Sequence, residues 1–335
     1  MAGMILAALA LSAAAAPLSA TAALAQPQSP KGGETLVFDA PSYAHFGEFR
    51  QGKSKLEKAS VTLWLPPGEA KVPAVMIAHT IGGWRDAGEG KYVQPLLDAG
   101  YAVLGLDHFT GRGITRAADV AGAISPISPA SDALLALQRV ADHPRLDAGR
   151  IALIGFSMGG VTTELTANEF IRSRILGTSL RFAAHVSVYA PCSYIFSNGS
   201  NRMTTGAPML RLQGGKDETA PAEKCALIET LIKQADPAVQ RRTIIYPEAY
   251  HAWDQAFFST PKYHPHHVNA RLCPVVDFGA AQRFYKPDGG IRPFDPTEFA
   301  GCLKASAGYT MGYDAAVTQK AGTEMLAFLA EQLKP

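Results

Sequence analysis

The chain has 335 residues, 47% of them apolar and 18% charged, with a formal net charge of +2. That balance describes a globular protein with a sizeable core, and it lacks the charge excess that nucleic acid or an anionic membrane surface selects. No basic run interleaved with aromatics appears either, so no nucleic-acid partner is expected.

The N-terminal segment differs from the rest. Met4 through Ala16 is an almost unbroken run of Ile, Leu, Ala and Met, and Ala23-Leu24-Ala25 before Gln26 has the small-x-small form of a signal cleavage site. Residues 1–25 are therefore expected to be a signal peptide, although no Lys or Arg stands in its n-region. The expected location is periplasmic or secreted. No stable membrane association should remain after cleavage, because no other segment approaches the roughly 20 apolar residues of a span. Residues 26–33 read as a flexible lead-in, and 34–335 as one domain. The four cysteines of an exported chain suggest two disulfides, and proximity along the chain favours Cys192–Cys225 and Cys273–Cys302.

Beyond the lead-in, the alternating run Ser60–Pro66 predicts an early antiparallel strand ending at a Pro-Pro-Gly turn. Pro73–His79 reads as a buried strand, Tyr92–Ala99 as a helix stopped by Gly100, and Tyr101–Asp107 as the next strand. A helix over Pro129–Ala141 leads to the apolar strand Arg150–Ile154. Arg181–Tyr189, Pro208–Gln213 and Arg242–Tyr246 read as further strands, Pro221–Gln234 and Ala315–Leu333 as helices. Strands alternating with helices of this length imply a mostly parallel central sheet with helices on both faces. The stretch 260–312 breaks the rhythm. Rich in Gly, Pro, His and aromatics, it is expected to be an irregular insertion near the active-site face.

The chemistry is signalled where the strand Arg150–Ile154 runs into Gly155-Phe156-Ser157-Met158-Gly159-Gly160. Gly-x-Ser-x-Gly between a strand and a helix fits a nucleophile elbow, a tight turn that lifts the Ser157 hydroxyl above the sheet. It also sets the Met158 amide at a helix N-terminus, where an N–H stabilises a developing oxyanion. A serine needs an imidazole to take its proton and a carboxylate to orient that imidazole, in the chain order Ser, acid, His for this elbow. Asp217 follows one later strand and His251 another, so these complete the candidate triad. Glu218 and Asp254 are the rival acids. The loop His79-Thr80-Ile81-Gly82-Gly83-Trp84 should supply the second oxyanion N–H, from Ile81 first and Thr80 second, with His79 shaping the loop. Arg112 and Trp84 are candidate substrate contacts, Arg112 having a structural ion pair as its competing role. His264, His266 and His267 lack carboxylates at ligand spacing and are not taken as a metal site.

Taken together, Ala78–Gly82, Asp107–Gly113, Arg150–Gly160, Gln213–Asp217 and Ala249–Asp254 resemble the dienelactone hydrolase family of the α/β-hydrolase superfamily. The resemblance covers roughly Val61 to Tyr250 and resumes in the last helix. It implies an α/β-hydrolase fold, a Cys/Ser–Asp–His triad, a small lidless cleft and no cofactor. Two departures stand out: the family's archetypal cysteine nucleophile is Ser157 here, and the glutamate beside its oxyanion loop has no counterpart in His79–Trp84. The expected activity is hydrolysis of small carboxylic esters or lactones through an acyl-enzyme. Peptidase or acyltransferase activity through the same triad is the enzymatic alternative, and a non-catalytic binding protein on this scaffold is the other. The sequence does not give the oligomeric state.

Overall fold

The structure is a computed structural model and describes residues 29–115, 117, 120, 124–197, 203–286 and 290–334. The expected signal peptide lies outside the described residues.

Nine strands come first in the chain: β1 (Glu34–Ser42), β2 (Lys55–Trp64), β3 (Val72–Ala78), β4 (Ala102–Asp107), β5 (Leu146–Phe156), β6 (Ala184–Val188), β7 (Tyr194–Ile195), β8 (Met209–Gly214) and β9 (Arg241–Tyr246). All but β7 join one eight-stranded sheet in the order β1-β2-β4-β3-β5-β6-β8-β9. β1 and β2 are antiparallel to each other, β2 is antiparallel to β4, and every later pairing is parallel.

Parallel strands need crossovers, and these are helices. Helix α1 (Phe46–Gln51) joins the antiparallel β1 and β2, and the crossover helices are α2 (Val93–Asp98), α3 (Ile127–Val140), α4 (Met158–Thr166), α5 (Glu169–Leu176) and α6 (Ala222–Ala235). Because side chains alternate across a strand, β3 feeds both layers. Ala74, Met76 and Ala78 pack with Ile127, Leu134 and Leu137 of α3 on one face. Val75 and Ile77 pack on the other face with Val93 and Leu96 of α2 and with Phe328 and Leu329 near the C-terminus. A sheet covered on both faces explains why its central strands are continuously apolar.

The stretch 260–312 contains short regular elements joined by loops. It holds β10 (Lys262–His264), β11 (Val275–Asp277), β12 (Arg283–Tyr285), β13 (Ile291–Pro293), helix α7 (Pro296–Ala305) and β14 (Tyr309–Met311), ahead of the last helix α8 (Ala315–Leu333). β10 pairs with β14, while β13, β12 and β11 continue through β7 as a second, four-stranded sheet. Strands of three residues are too short to show a period of two, which hid them from the sequence reading.

Both disulfides join as chain proximity suggested, Cys192–Cys225 and Cys273–Cys302. The first ties the chain after β6 to α6, and the second, within the 260–312 stretch, ties the segment before β11 to α7. Replacing Cys192 and Cys225 with alanine should lower unfolding stability by about 3–4 kcal/mol, on the loop-entropy model for a 33-residue separation. Denaturant unfolding of the double variant checks this. No helix among the described residues is long and apolar enough to cross a membrane.

Candidate active site

β5 ends at Phe156 and α4 begins at Met158, leaving Ser157 alone to turn the chain. It does so with φ 51° and ψ −108°, a left-handed conformation that L-residues adopt at a cost on the order of 1–3 kcal/mol. The flanking glycines are required by contact rather than by φ. A Cβ on Gly155 would lie 1.9 Å from the Gly159 carbonyl oxygen, and one on Gly159 would lie 2.1 Å from that of Ala78. Both obstacles are backbone and cannot yield. Gly159→Ala should therefore displace the elbow, with loss of activity and a lowered unfolding temperature in a thermal melt.

The three predicted side chains meet. Ser157 Oγ lies 2.9 Å from His251 Nε2, and His251 Nδ1 lies 2.9 Å from Asp217 Oδ2. All three are buried, with relative exposures of 9%, 2% and 4% in that order. Asp217 is itself held from several sides. Its Oδ1 accepts from the Thr219 amide at 2.9 Å and the Thr219 hydroxyl at 2.7 Å, and its Oδ2 accepts from Gln213 Nε2 at 3.1 Å. With its carboxylate fixed, the His251 tautomer is fixed too: Nδ1 donates to Asp217, leaving the Nε2 lone pair for the serine proton.

The rival acids are occupied elsewhere. Glu218 binds Arg271 at 2.7 Å and the Thr310 amide at 2.8 Å. Asp254 accepts from Tyr189 at 2.6 Å and Tyr92 at 2.9 Å and pairs with Lys91 at 2.9 Å. Desolvation opposes its charge, yet Lys91 and these hydrogen bonds hold the Asp254 carboxyl below its ordinary range.

On the oxyanion side, the Met158 amide opens α4, where the helix field favours negative charge. In the facing loop the Thr80 amide donates to Glu89 Oε1 at 2.9 Å and is thereby removed from competition. The Ile81 amide has no hydrogen-bond partner among the described residues. His79 shapes this loop as expected: Nδ1 donates to the Thr80 carbonyl at 2.6 Å, and Nε2 accepts the His108 amide at 3.2 Å. Burial first, and then His108, push His79 down to about 3, so it stays neutral.

Two candidate substrate contacts lie away from the cleft. Arg112 has a side chain only 2% exposed; it grips Asp132 with two nitrogens at 2.8 and 2.9 Å and Glu57 with a third at 3.0 Å. It makes an ion pair that joins the β4–α3 connection to the buried Asp132 of α3. Arg112→Ala should cost about 3–5 kcal/mol of stability by leaving Asp132 without its cation, which chemical denaturation can measure. The KM for an anionic ester should not move. Trp84 stacks on Trp64 with ring centroids 6.0 Å apart, over the space left by Gly105.

The cleft beside Ser157 has a cavity volume of about 130 Å³, with Ile81, Arg85, Phe257, Phe258, His267 and Tyr309 among its walls. Four of these six come from the part of the chain after His251. The parallel bridge His251–Met311 ties β14 to the histidine loop, and the Tyr309 ring meets the His251 imidazole edge-on at 5.0 Å. Sequence reasoning placed the 260–312 stretch near the site and named Ile81 as an oxyanion donor, but it did not name Arg85, Phe257, Phe258 or Tyr309 as walls.

The family model of the dienelactone hydrolase family matches residues 60–271, well over half of the chain and inclusive of all three triad candidates. The chain belongs to the dienelactone hydrolase family. Like the rest of that family it has an α/β-hydrolase fold, and it is a carboxylic ester hydrolase acting on small molecules. Among solved structures, this hydrolase is similar to a dienelactone hydrolase-like promiscuous phosphotriesterase from metagenomic libraries. The two share 16% identity and a TM-score of 0.53, with 90% of this chain and 99% of that one covered. A "Putative Dienelactone Hydrolase" from Klebsiella pneumoniae subsp. pneumoniae MGH 78578 has 15% identity, a TM-score of 0.51 and coverage of 89% and 99%. Identities this low speak for the fold. No curated protein matches the sequence.

Proposed function

We propose that this hydrolase cleaves small carboxylic esters or lactones with Ser157 as nucleophile, His251 as general base and acid, and Asp217 as the residue that orients His251. The unbroken chain Oγ to Nε2 and Nδ1 to Oδ2, at 2.9 Å each, carries the reading. Ser157 Oγ attacks the ester carbonyl carbon as its proton passes to His251 Nε2. The Met158 and Ile81 amides donate to the oxyanion, and Asp217 stabilises the imidazolium. Collapse expels the alcohol, which takes the proton from His251. Water then attacks the acyl-serine by the same route in reverse, releasing the acid and restoring Ser157.

A cavity of about 130 Å³, lined by aromatic side chains, suits a compact acyl group rather than a long chain. A panel of p-nitrophenyl esters graded by acyl length, with lactones included, tests this. Turnover per KM should peak at short acyl groups, and a maximum beyond eight carbons would contradict the cleft assignment.

The hydrolase is further proposed to work outside the cytoplasm. Two disulfides and the signal-like residues 1–25 support that placement. Fractionation of the native host for the oxidised protein tests it.

A further inference from the structure

Between the oxyanion loop and the histidine loop lies the short 3-10 turn Glu89–Tyr92, whose side chains the proposed chemistry does not use. Glu89 is 1% exposed. Its Oε1 accepts the Thr80 amide at 2.9 Å and its Oε2 accepts the Arg85 amide at 3.3 Å. One carboxylate thus ties down the backbone on both sides of Ile81. The same turn faces the other loop: Tyr92 and Lys91 both bind Asp254, three residues beyond His251. Asp254 in turn accepts from Tyr189, whose ring meets the His251 imidazole at 5.0 Å.

We propose that Glu89 is a positioning residue of the reaction, its buried carboxylate presetting the Ile81 amide as an oxyanion donor. The proposal rests on the triad reading above. A burial this complete is costly for a carboxylate, and a residue serving packing alone would do better apolar. Only an ionised carboxylate offers acceptors on both oxygens. A protonated carboxyl, or a glutamine, turns one of them into a donor facing a backbone N–H, so one end of the loop must let go. The Ile81 amide then loses its fixed direction, and an oxyanion donor acts only when it is aimed beforehand.

The titration of Glu89 supports this. Desolvation is the leading cause, and together with Asp254 it outweighs the amide hydrogen bonds and pushes the carboxyl up to about 6. Asp254 and Tyr189 face it from the neighbouring loops, the Arg85 backbone amide from the oxyanion loop, and Tyr92 from its own turn, where Lys91 is paired with Asp254. A raised value means that ionisation costs folded-state stability. As pH falls through about 6, that cost is relieved while the loop loses its clasp. Activity and stability therefore move in opposite directions on this group.

The test compares wild type and Glu89→Gln on p-nitrophenyl acetate, with rates normalised to sites that titrate with a fluorophosphonate, and measures Ser157→Ala alongside per mole of folded protein. For Glu89→Gln, kcat per titrated site should fall about 10- to 100-fold while KM stays within about threefold. The inhibition constant of phenylboronic acid, which mimics the tetrahedral intermediate, should rise alongside. In wild type, the acid limb of kcat should depend on more than one proton, since Glu89 and His251 must both be unprotonated. That measurement stands even if the variant does not fold. A kcat within twofold of wild type in Glu89→Gln, or a one-proton acid limb in wild type, would overturn the role of Glu89. Full activity in Ser157→Ala would instead overturn the triad reading beneath it.

Discussion

Ser157→Ala should lower kcat on short-chain esters by about 10⁵- to 10⁶-fold, with KM changed by only a few fold. The hydroxyl is the group proposed to form the acyl-enzyme: His251 Nε2 sits 2.9 Å from it, and α4 begins at the next residue. Removing it takes away the bond that forms, while the cleft walls that bind ground-state ester remain. Residual turnover should then come from the oxyanion amides acting on water, a contribution of about 10³ over solution. The fold should be preserved or slightly stabilised, because alanine at φ 51° carries no more strain than serine. Steady-state kinetics with a thermal melt on the same preparation checks both halves.

Asp217→Asn should reduce kcat by about 10⁴-fold, through tautomer rather than through collapse of the site. The Thr219 amide and hydroxyl both donate to Oδ1, so the asparagine carbonyl will settle there. Its NH₂ then faces His251 Nδ1, where the carboxylate had accepted. Nδ1 must become the acceptor, the ring proton moves to Nε2, and Ser157 meets a donor in place of a base. The prediction is checked by kcat together with the His251 ring-proton resonance in NMR, which should shift from the Nδ1 to the Nε2 tautomer. An activity loss below tenfold would show that Asp217 does not set the tautomer.

The candidate triad was legible because each proposed member announces itself locally. Ser157 sits between glycines at a strand-to-helix turn, and Asp217 and His251 each follow a later strand in the order that this elbow requires. The central strands were legible from their own pattern: β3 and β4 are buried on both faces, so their apolar runs are almost unbroken. β1 was not read, since it lies on the sheet edge with Leu36 and Val37 exposed, and its pattern carries little burial signal. Glu89 was missed because Gly88-Glu89-Gly90 looks like an exposed polar turn. Only the fold brings its carboxylate under the Thr80 and Arg85 amides. Arg112 shows the reverse: its place after a strand end suggested a ligand contact, yet Asp132, 20 residues on, takes it up. Partners at such separations are set by how α3 packs, and neither spacing nor composition records that. The cleft walls Phe257 and Tyr309 stayed hidden because a 3-10 turn and a strand of three residues carry them to the site, elements too short to leave a periodic pattern.

Intact-mass analysis with peptide mapping, after exposure to a fluorophosphonate, tests the central claim most directly. One adduct per chain is expected, on the peptide that holds Ser157, forming far more slowly in the Asp217→Asn variant. An unmodified chain, or an adduct on any other residue, would contradict it.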